Sequence, residues 1–180
     1  MKKELYQTIK IPEGIEIVIN GKEISVNGKE GELKRKFNIG KLEFKKEGDK
    51  IIIGHKHSTK TEKKITNTIT AHIKNMIKGA QKKFEYKLKI CFNHFPITID
   101  VKENYGIIKN FLGEKIPRRV NFPKGADIKI EKEFITIQSL DKEIAGQAAA
   151  NFEKSTRVRN KDRRIFQDGI FNTNKAGVEI

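Results

Sequence analysis

Ile11-Pro12-Glu13-Gly14-Ile15-Glu16-Ile17-Val18-Ile19, followed by Asn20-Gly21 and then Ile24-Ser25-Val26, is the stretch that decides the fold of this chain. Apolar and polar residues alternate on both sides of Asn20-Gly21, the period of a half-buried strand. Asn-Gly between two such runs predicts a hairpin closed by a two-residue type I′ turn. Centred there, Ile17 faces Ile24 and Ile15 faces Val26, so one face is apolar and the other polar. The pattern recurs 111 residues later, in Phe122-Pro123-Lys124-Gly125-Ala126-Asp127-Ile128-Lys129-Ile130, with Ile135 and Ile137 at the places of Ile24 and Val26. This reads as an internal repeat, an apolar-Pro-x-Gly turn leading into a hairpin, with Glu131-Lys132 near the second turn.

A helix is predicted downstream of each copy. Thr59-x-x-Glu62 is a capping box, and Ile65, Ile69, His72, Ile73, Met76 and Ile77 keep helical spacing up to Gly79. Asp141 is placed to cap a second helix with the stripe Ile144, Ala145, Ala148, Ala149 and Phe152, small enough to lie close against a sheet. Short alternating segments fill the intervals at 32–37, 41–46, 50–54, 85–92, 96–102, 107–112 and 116–121. The expected architecture is α+β: two tandem duplicated domains, residues 1–81 and 82–154, each an antiparallel sheet with one long helix packed on it. Residues 155–180 show no sustained period and read as a basic C-terminal extension.

The chain has 180 residues, 38 Lys and Arg against 23 Asp and Glu, a net charge of +15 and 36% hydrophobic residues. That apolar fraction suits two small layered units with thin cores. The apolar runs are too short for a membrane span, and no apolar stretch follows the basic start MKKELYQTIKIPEG, so neither a membrane anchor nor a cleaved secretory signal is expected. Cys91 is the one cysteine, which excludes an internal disulfide and fits a reducing, cytoplasmic setting. An excess of positive charge points to an acidic partner, nucleic acid ahead of a membrane surface. The charge is not one appended tail, because residues 1–80 are net +8 and residues 81–180 net +7. Arginine is nonetheless uneven: Arg35 stands in the first half, and Arg118, Arg119, Arg157, Arg159, Arg163 and Arg164 in the second. The guanidinium fork grips phosphate at two points, so the second half is the better candidate for close contact.

Enzymatic signatures are missing. The chain has no phosphate-binding Gly-x-x-x-x-Gly-Lys-Ser/Thr and no dinucleotide-type glycine fingerprint. His55, His57, Cys91 and His94 match no structural zinc spacing, so neither a metal nor another cofactor is expected. No nucleophile–base pairing or isolated carboxylate pair is readable. An enzyme acting on nucleic acid would need an acidic cluster, for which Asp100, Asp127 and Asp168 are the candidates.

The tail carries the sharpest binding signal. From Lys154 to Lys175 it is net +5, with Lys154, Arg157, Arg159, Lys161, Arg163 and Arg164 crowded into its first half. Phe166 and Phe171 are interleaved, able to stack on bases or to pin the tail to the domain. Gly169 permits a turn at which backbone could approach phosphate. Lys115, Arg118 and Arg119 form a second basic stretch that would join this surface if the sheet edge lay nearby.

Several segments carry a resemblance: His72-Ile73-Lys74-Asn75-Met76-Ile77-Lys78-Gly79; His94-Phe95-Pro96-Ile97; Asn110-Phe111-Leu112-Gly113-Glu114-Lys115 with Arg118-Arg119-Val120; and Asn160-Lys161-Asp162-Arg163-Arg164-Ile165-Phe166-Gln167-Asp168-Gly169-Ile170. From about residue 8 to 172 the chain resembles the family of large-ribosomal-subunit protein six, numbered nine in eukaryotic ribosomes, in its archaeal and eukaryotic branch. The resemblance implies a duplicated α+β fold that binds large-subunit rRNA without catalysis, as a monomer within the cytoplasmic ribosome. It places the protein near the stalk base and the sarcin–ricin region, among neighbouring ribosomal proteins. It also implies rRNA contact through Lys154, Arg157, Arg159, Lys161, Arg163 and Arg164, with Lys115, Arg118 and Arg119 beside them; Gly169 and Phe171 join the expected contact set from the reading of the tail itself. The loop near 54–58 and the C-terminus are shorter than in eukaryotic relatives. A non-ribosomal RNA-binding or RNA-chaperone protein is the alternative reading.

Overall fold

The computed structural model describes residues 3–180; the first two residues of the opening MKKELYQTIKIPEG lie outside them. The chain divides into two compact units, Met1–Lys83 and Phe84–Ile180.

The first unit contains β1 (Lys3–Lys10), β2 (Glu16–Asn20), β3 (Glu23–Gly28), β4 (Gly31–Lys36), β5 (Glu43–Glu47), β6 (Lys50–Ser58) and α1 (Lys60–Gln81). They form two antiparallel sheets in the orders β1-β6-β5 and β2-β3-β4. Alternation puts Ile17, Ile24, Val26, Ile51 and Ile53 at almost zero exposure against Ile69, Ile73 and Ala80 of α1. Each such burial contributes about 1.5–3 kcal/mol. The hairpin forms, one step along from its expected register: Asn20 pairs Glu23, Ile19 pairs Ile24 and Ile17 pairs Val26. The turn residues are therefore Gly21 and Lys22, with a positive φ of 60° at Gly21 alone. This pattern fits a II′ turn, whose first position favours glycine. The apolar face is unaffected, because moving the turn by one residue shifts each pairing by two and preserves the alternation.

The Thr59–Glu62 capping box closes the start of α1, with the Thr59 amide donating to Glu62 at 2.8 Å. Gly79 does not end this helix. It is buried within the last turn, and the chain continues to Gln81.

The second unit contains β7 (Phe84–Cys91), β8 (Thr98–Lys102), β9 (Tyr105–Lys109), a 3₁₀ turn (Phe111–Gly113), β10 (Arg118–Asn121), β11 (Asp127–Glu131), β12 (Phe134–Ser139), α2 (Lys142–Ser155), β13 (Gly169–Lys175) and β14 (Val178–Glu179). Its sheets run β10-β9-β8 and β11-β12-β7-β13-β14. Asp141 caps α2 by accepting from the Glu143 amide at 2.8 Å. Ala145, Ala148, Ala149 and Phe152 are buried against Leu88, Ile90, Ile135, Ile137 and Ile170.

Two expectations change here. The duplication is present, but not at 111 residues. Strands β1-β6-β5 correspond in pairing and chain order to β7-β12-β11, strands β2-β3-β4 to β8-β9-β10, and each sixth strand leads into the helix. The segments at Ile11 and Phe122 are locally alike, with positive φ at both Gly14 (81°) and Gly125 (91°). One leads into the second strand of its unit and the other into the fifth. Local sequence encodes a turn and a hairpin wherever a sheet needs one, and says nothing about the strand's ordinal place.

The reading of 155–180 as an extended tail is also corrected. Residues 169–175 form β13, antiparallel to β7 from Gly169↔Cys91 to Lys175↔Tyr86, and Ile170 is completely buried. Aliphatic content this low escapes a search for periodicity, because the free edge of β7 supplies the strand's hydrogen bonds.

Candidate nucleic-acid interface

β13 returns the chain to the sheet, so the segment from Thr156 to Asp168 is anchored at both ends. At its start the buried Thr156 hydroxyl accepts from the Ile170 amide at 2.9 Å, tying the end of α2 to β13. Val158 is buried, which turns its neighbours Arg157 and Arg159 outward. Asp162 organises the next turn. Its carbonyl accepts from the Phe166 amide at 2.9 Å, and its carboxylate accepts from the Arg164 amide at 2.9 Å and from Arg164 Nη2 at 2.8 Å. The Arg164 hydrogen bonds hold the Asp162 carboxyl below the usual aspartate range, and the Arg164 guanidinium is raised in return. The Lys161 ammonium lies 4.4 Å over the ring of Phe166, and that ring packs against the core. Phe166 is thus an anchor.

Lys154, Arg157 and Arg163 line an open groove of about 1040 Å³, together with Cys91, Phe92 and Phe171 and with the acidic Glu153 and Asp168. Among the described residues, Lys154, Arg157, Arg159 and Arg163 form no ion pair. A free guanidinium on a rigid frame is suited to a phosphate, because little side-chain or backbone order remains to be imposed on binding.

The second basic stretch does meet this surface, through a bond internal to the protein. Arg118 donates from Nε to Glu114 at 2.7 Å and from Nη1 to the Ser155 carbonyl at 2.7 Å, and its guanidinium stacks 4.3 Å from the Phe111 ring. The Arg118 hydrogen bond depresses the Glu114 carboxyl below its ordinary range. Arg118 is therefore a brace between β10 and the end of α2, with three of its five N–H donors engaged inside the protein. Arg119 lies 4.2 Å over Tyr105 and donates to Asn121 at 3.0 Å, while Lys115 is exposed. Gly169 does not form the expected turn. It is a buried strand residue with no positive φ, and a Cβ there would lie 3.0 Å from the Phe171 ring. The glycine makes room for an aromatic ring. Phe171 is 45% exposed.

Asp100, Asp127 and Asp168 do not assemble. Asp100 is bridged to Lys109 at 2.6 Å, Asp127 lies on β11 and Asp168 is buried beside β13. Among the described residues no group of three or more His, Cys, Asp or Glu side chains is arranged to hold a metal ion, and no helix is long and apolar enough to cross a membrane. In the first unit, sequence reading missed a smaller groove of about 370 Å³ between β4 and α1, lined by Arg35, Phe37, Lys64 and His72. The alternation of β4 and the stripe of α1 were both legible, but not their meeting.

The family model described as "Ribosomal protein L6" matches residues 11–83 and again 95–169. The chain belongs to the ribosomal protein L6 family. The two L6 matches fall one in each unit and begin 84 residues apart, which agrees with the strand correspondence and not with 111. Three archaeal relatives carry the name large ribosomal subunit protein uL6. The protein of Methanothrix thermoacetophila is 40% identical over 171 residues, 95% of this chain and 97% of its own. That of Methanococcus vannielii is 40% identical over 95% of this chain and 94% of its own. That of Staphylothermus marinus is 43% identical over 93% and 92%. The tandem α+β duplication expected of the L6 family is the architecture observed.

Proposed function

We propose that this L6-family chain is a structural, non-catalytic component of an archaeal-type large ribosomal subunit in the cytoplasm, binding large-subunit rRNA near the stalk base and the sarcin–ricin region beside neighbouring ribosomal proteins. The observation that carries the reading is the anchored segment after α2, which presents Lys154, Arg157, Arg159 and Arg163 without carboxylate partners. Lys161 and Arg164 lie in the same segment, and Arg119 and Lys115 are further candidate contacts on and before β10. Counterion release from RNA phosphates supplies affinity, and the fixed spacing of the guanidinium groups supplies shape selectivity. The protein acts by holding RNA segments together where they converge, as one copy per subunit.

The test is binding to a sarcin–ricin-region rRNA fragment against a length-matched unrelated duplex across a salt titration. With about five phosphates engaged, log affinity should fall against log salt with a slope of roughly −4. A preference for the rRNA fragment that survives at physiological salt supports the reading. Equal and steeply salt-sensitive binding to both would favour a non-ribosomal RNA-binding or chaperone protein.

A further inference from the structure

The outer face of the five-stranded sheet in the second unit is unused by the core and unlike an ordinary solvated face. Leu88, Ile90, Ile135, Ile137 and Ile170 point into the core, so the alternate positions of β7, β12 and β13 point away from it. Register places Phe134 opposite Lys89, and Lys89 opposite Phe171, so the three form one row across three strands. The rings are 47% and 45% exposed, on strands whose backbones lie about 9.5 Å apart, two strand spacings. Phe171 is held down on the sheet, because Gly169 beneath it has no Cβ to lift the ring. Lys89 forms no ion pair among the described residues, whereas Lys87 on the same face is bridged to Glu85 at 3.2 Å. The outward positions of these three strands carry no aliphatic side chain. An apolar protein surface would find little to pack on here, whereas base faces and phosphates would find both partners.

We infer that Phe134 and Phe171 form a stacking platform for unpaired bases of single-stranded RNA, with Lys89 holding the phosphate that joins them. Phe171 also lines the groove of Arg157 and Arg163, so the platform continues the basic surface and takes nucleotides that leave the duplex bound there. The inference rests on the RNA-binding reading and adds a ligand class to it. Stacking is tolerant of sequence and independent of charge, which separates it from phosphate contact.

The experiment uses the full chain and a single-stranded RNA heptamer carrying 2-aminopurine at its centre. Wild type should quench the fluorophore. The double variant Phe134→Leu, Phe171→Leu should abolish quenching and weaken heptamer binding roughly 5- to 100-fold, with the salt slope unchanged. Phe134→Tyr with Phe171→Tyr should restore both, which excludes misfolding as the cause. Unchanged quenching and affinity in the leucine variant would overturn the platform, as would no quenching by wild type, the result expected of a face that docks protein. Preference of the leucine variant for the rRNA fragment keeps the two readings separate: if it persists while quenching is absent in wild type, only the platform falls. Loss of that preference in wild type, with quenching intact, would remove the ribosomal reading and leave the platform.

Discussion

The two units are built from the same six strands and one helix, and they differ in the chain beyond the helix. In the first, α1 runs 22 residues and the chain leaves two residues later for β7. In the second, α2 stops after 14 residues, and a basic segment leads into β13 on the free edge of β7. Both units are rich in lysine, but only the second fixes arginines on a backbone anchored at both ends. Charge alone therefore does not define a binding surface in this protein. The added strand turns a segment with the composition of a disordered tail into one with a defined shape, removing an entropic cost that would otherwise fall on RNA binding.

The largest test of this contrast is to end the chain after Phe152. Strand β13 and the wholly buried Ile170 would be lost, together with the Thr156 hydroxyl that ties α2 to it. The second unit should lose its cooperative melt while the first keeps its own, as followed by hydrogen exchange on α1 and α2. An intact second unit would show that β13 is an accessory. Next in size, Arg157→Ala with Arg159→Ala and Arg163→Ala should lower rRNA affinity at least 100-fold at physiological salt and flatten the salt slope by about 2, with the melt unchanged. The matched variant in the first unit, Lys60→Ala with Lys63→Ala and Lys74→Ala, should cost only a few-fold. Equal losses from the two triple variants would break the comparison.

Smaller effects separate bracing from binding. Arg118→Ala removes a charged hydrogen bond to the Ser155 carbonyl and should destabilise the second unit by about 1.5–3 kcal/mol. Its partner gives the pH dependence. The folded Glu114 carboxyl titrates below its unfolded value of about 4.3. The stabilisation is therefore complete above that value and is lost as pH falls through the depressed folded one. Thermal melts between pH 6 and pH 3 should show a steeper acid loss for wild type than for Arg118→Ala. The smallest effect is Thr59→Ala, which removes the capping box of α1 and should cost about 1 kcal/mol in the first unit, leaving rRNA affinity as it was.

Legibility in the sequence followed the range of the interactions involved. The capping box at Thr59–Glu62, the Asp141 cap, the alanine stripe of α2 and the hairpin after Ile15 were readable because each is decided within a few residues. The repeat was readable in kind but mismatched in register, since the turns at Gly14 and Gly125 resemble each other more than Gly14 resembles its true counterpart near Pro96 or Gly125 its own near Gly40. The cationic residues of the interface stood out by type, as a cluster from Lys154 to Arg164. That Arg118 is a brace depends on the Ser155 carbonyl 37 residues away, and that Gly169 seats a ring depends on how β13 lies.

By itself, the sequence determined the alternation that buries Ile24 and Leu88, the two helices with their caps, the twofold α+β plan and the basic character of the second half. These features arise from local propensity and from the periodicity with which apolar side chains must leave water. Only the tertiary structure decided which strand lies beside which, that 169–175 is a strand, and which arginines are spent on the protein itself. Those outcomes turn on strand pairing and hydrogen bonds between residues far apart in the chain, such as the register of Gly169 opposite Cys91 and the bond of Arg118 to Ser155, for which no local pattern exists.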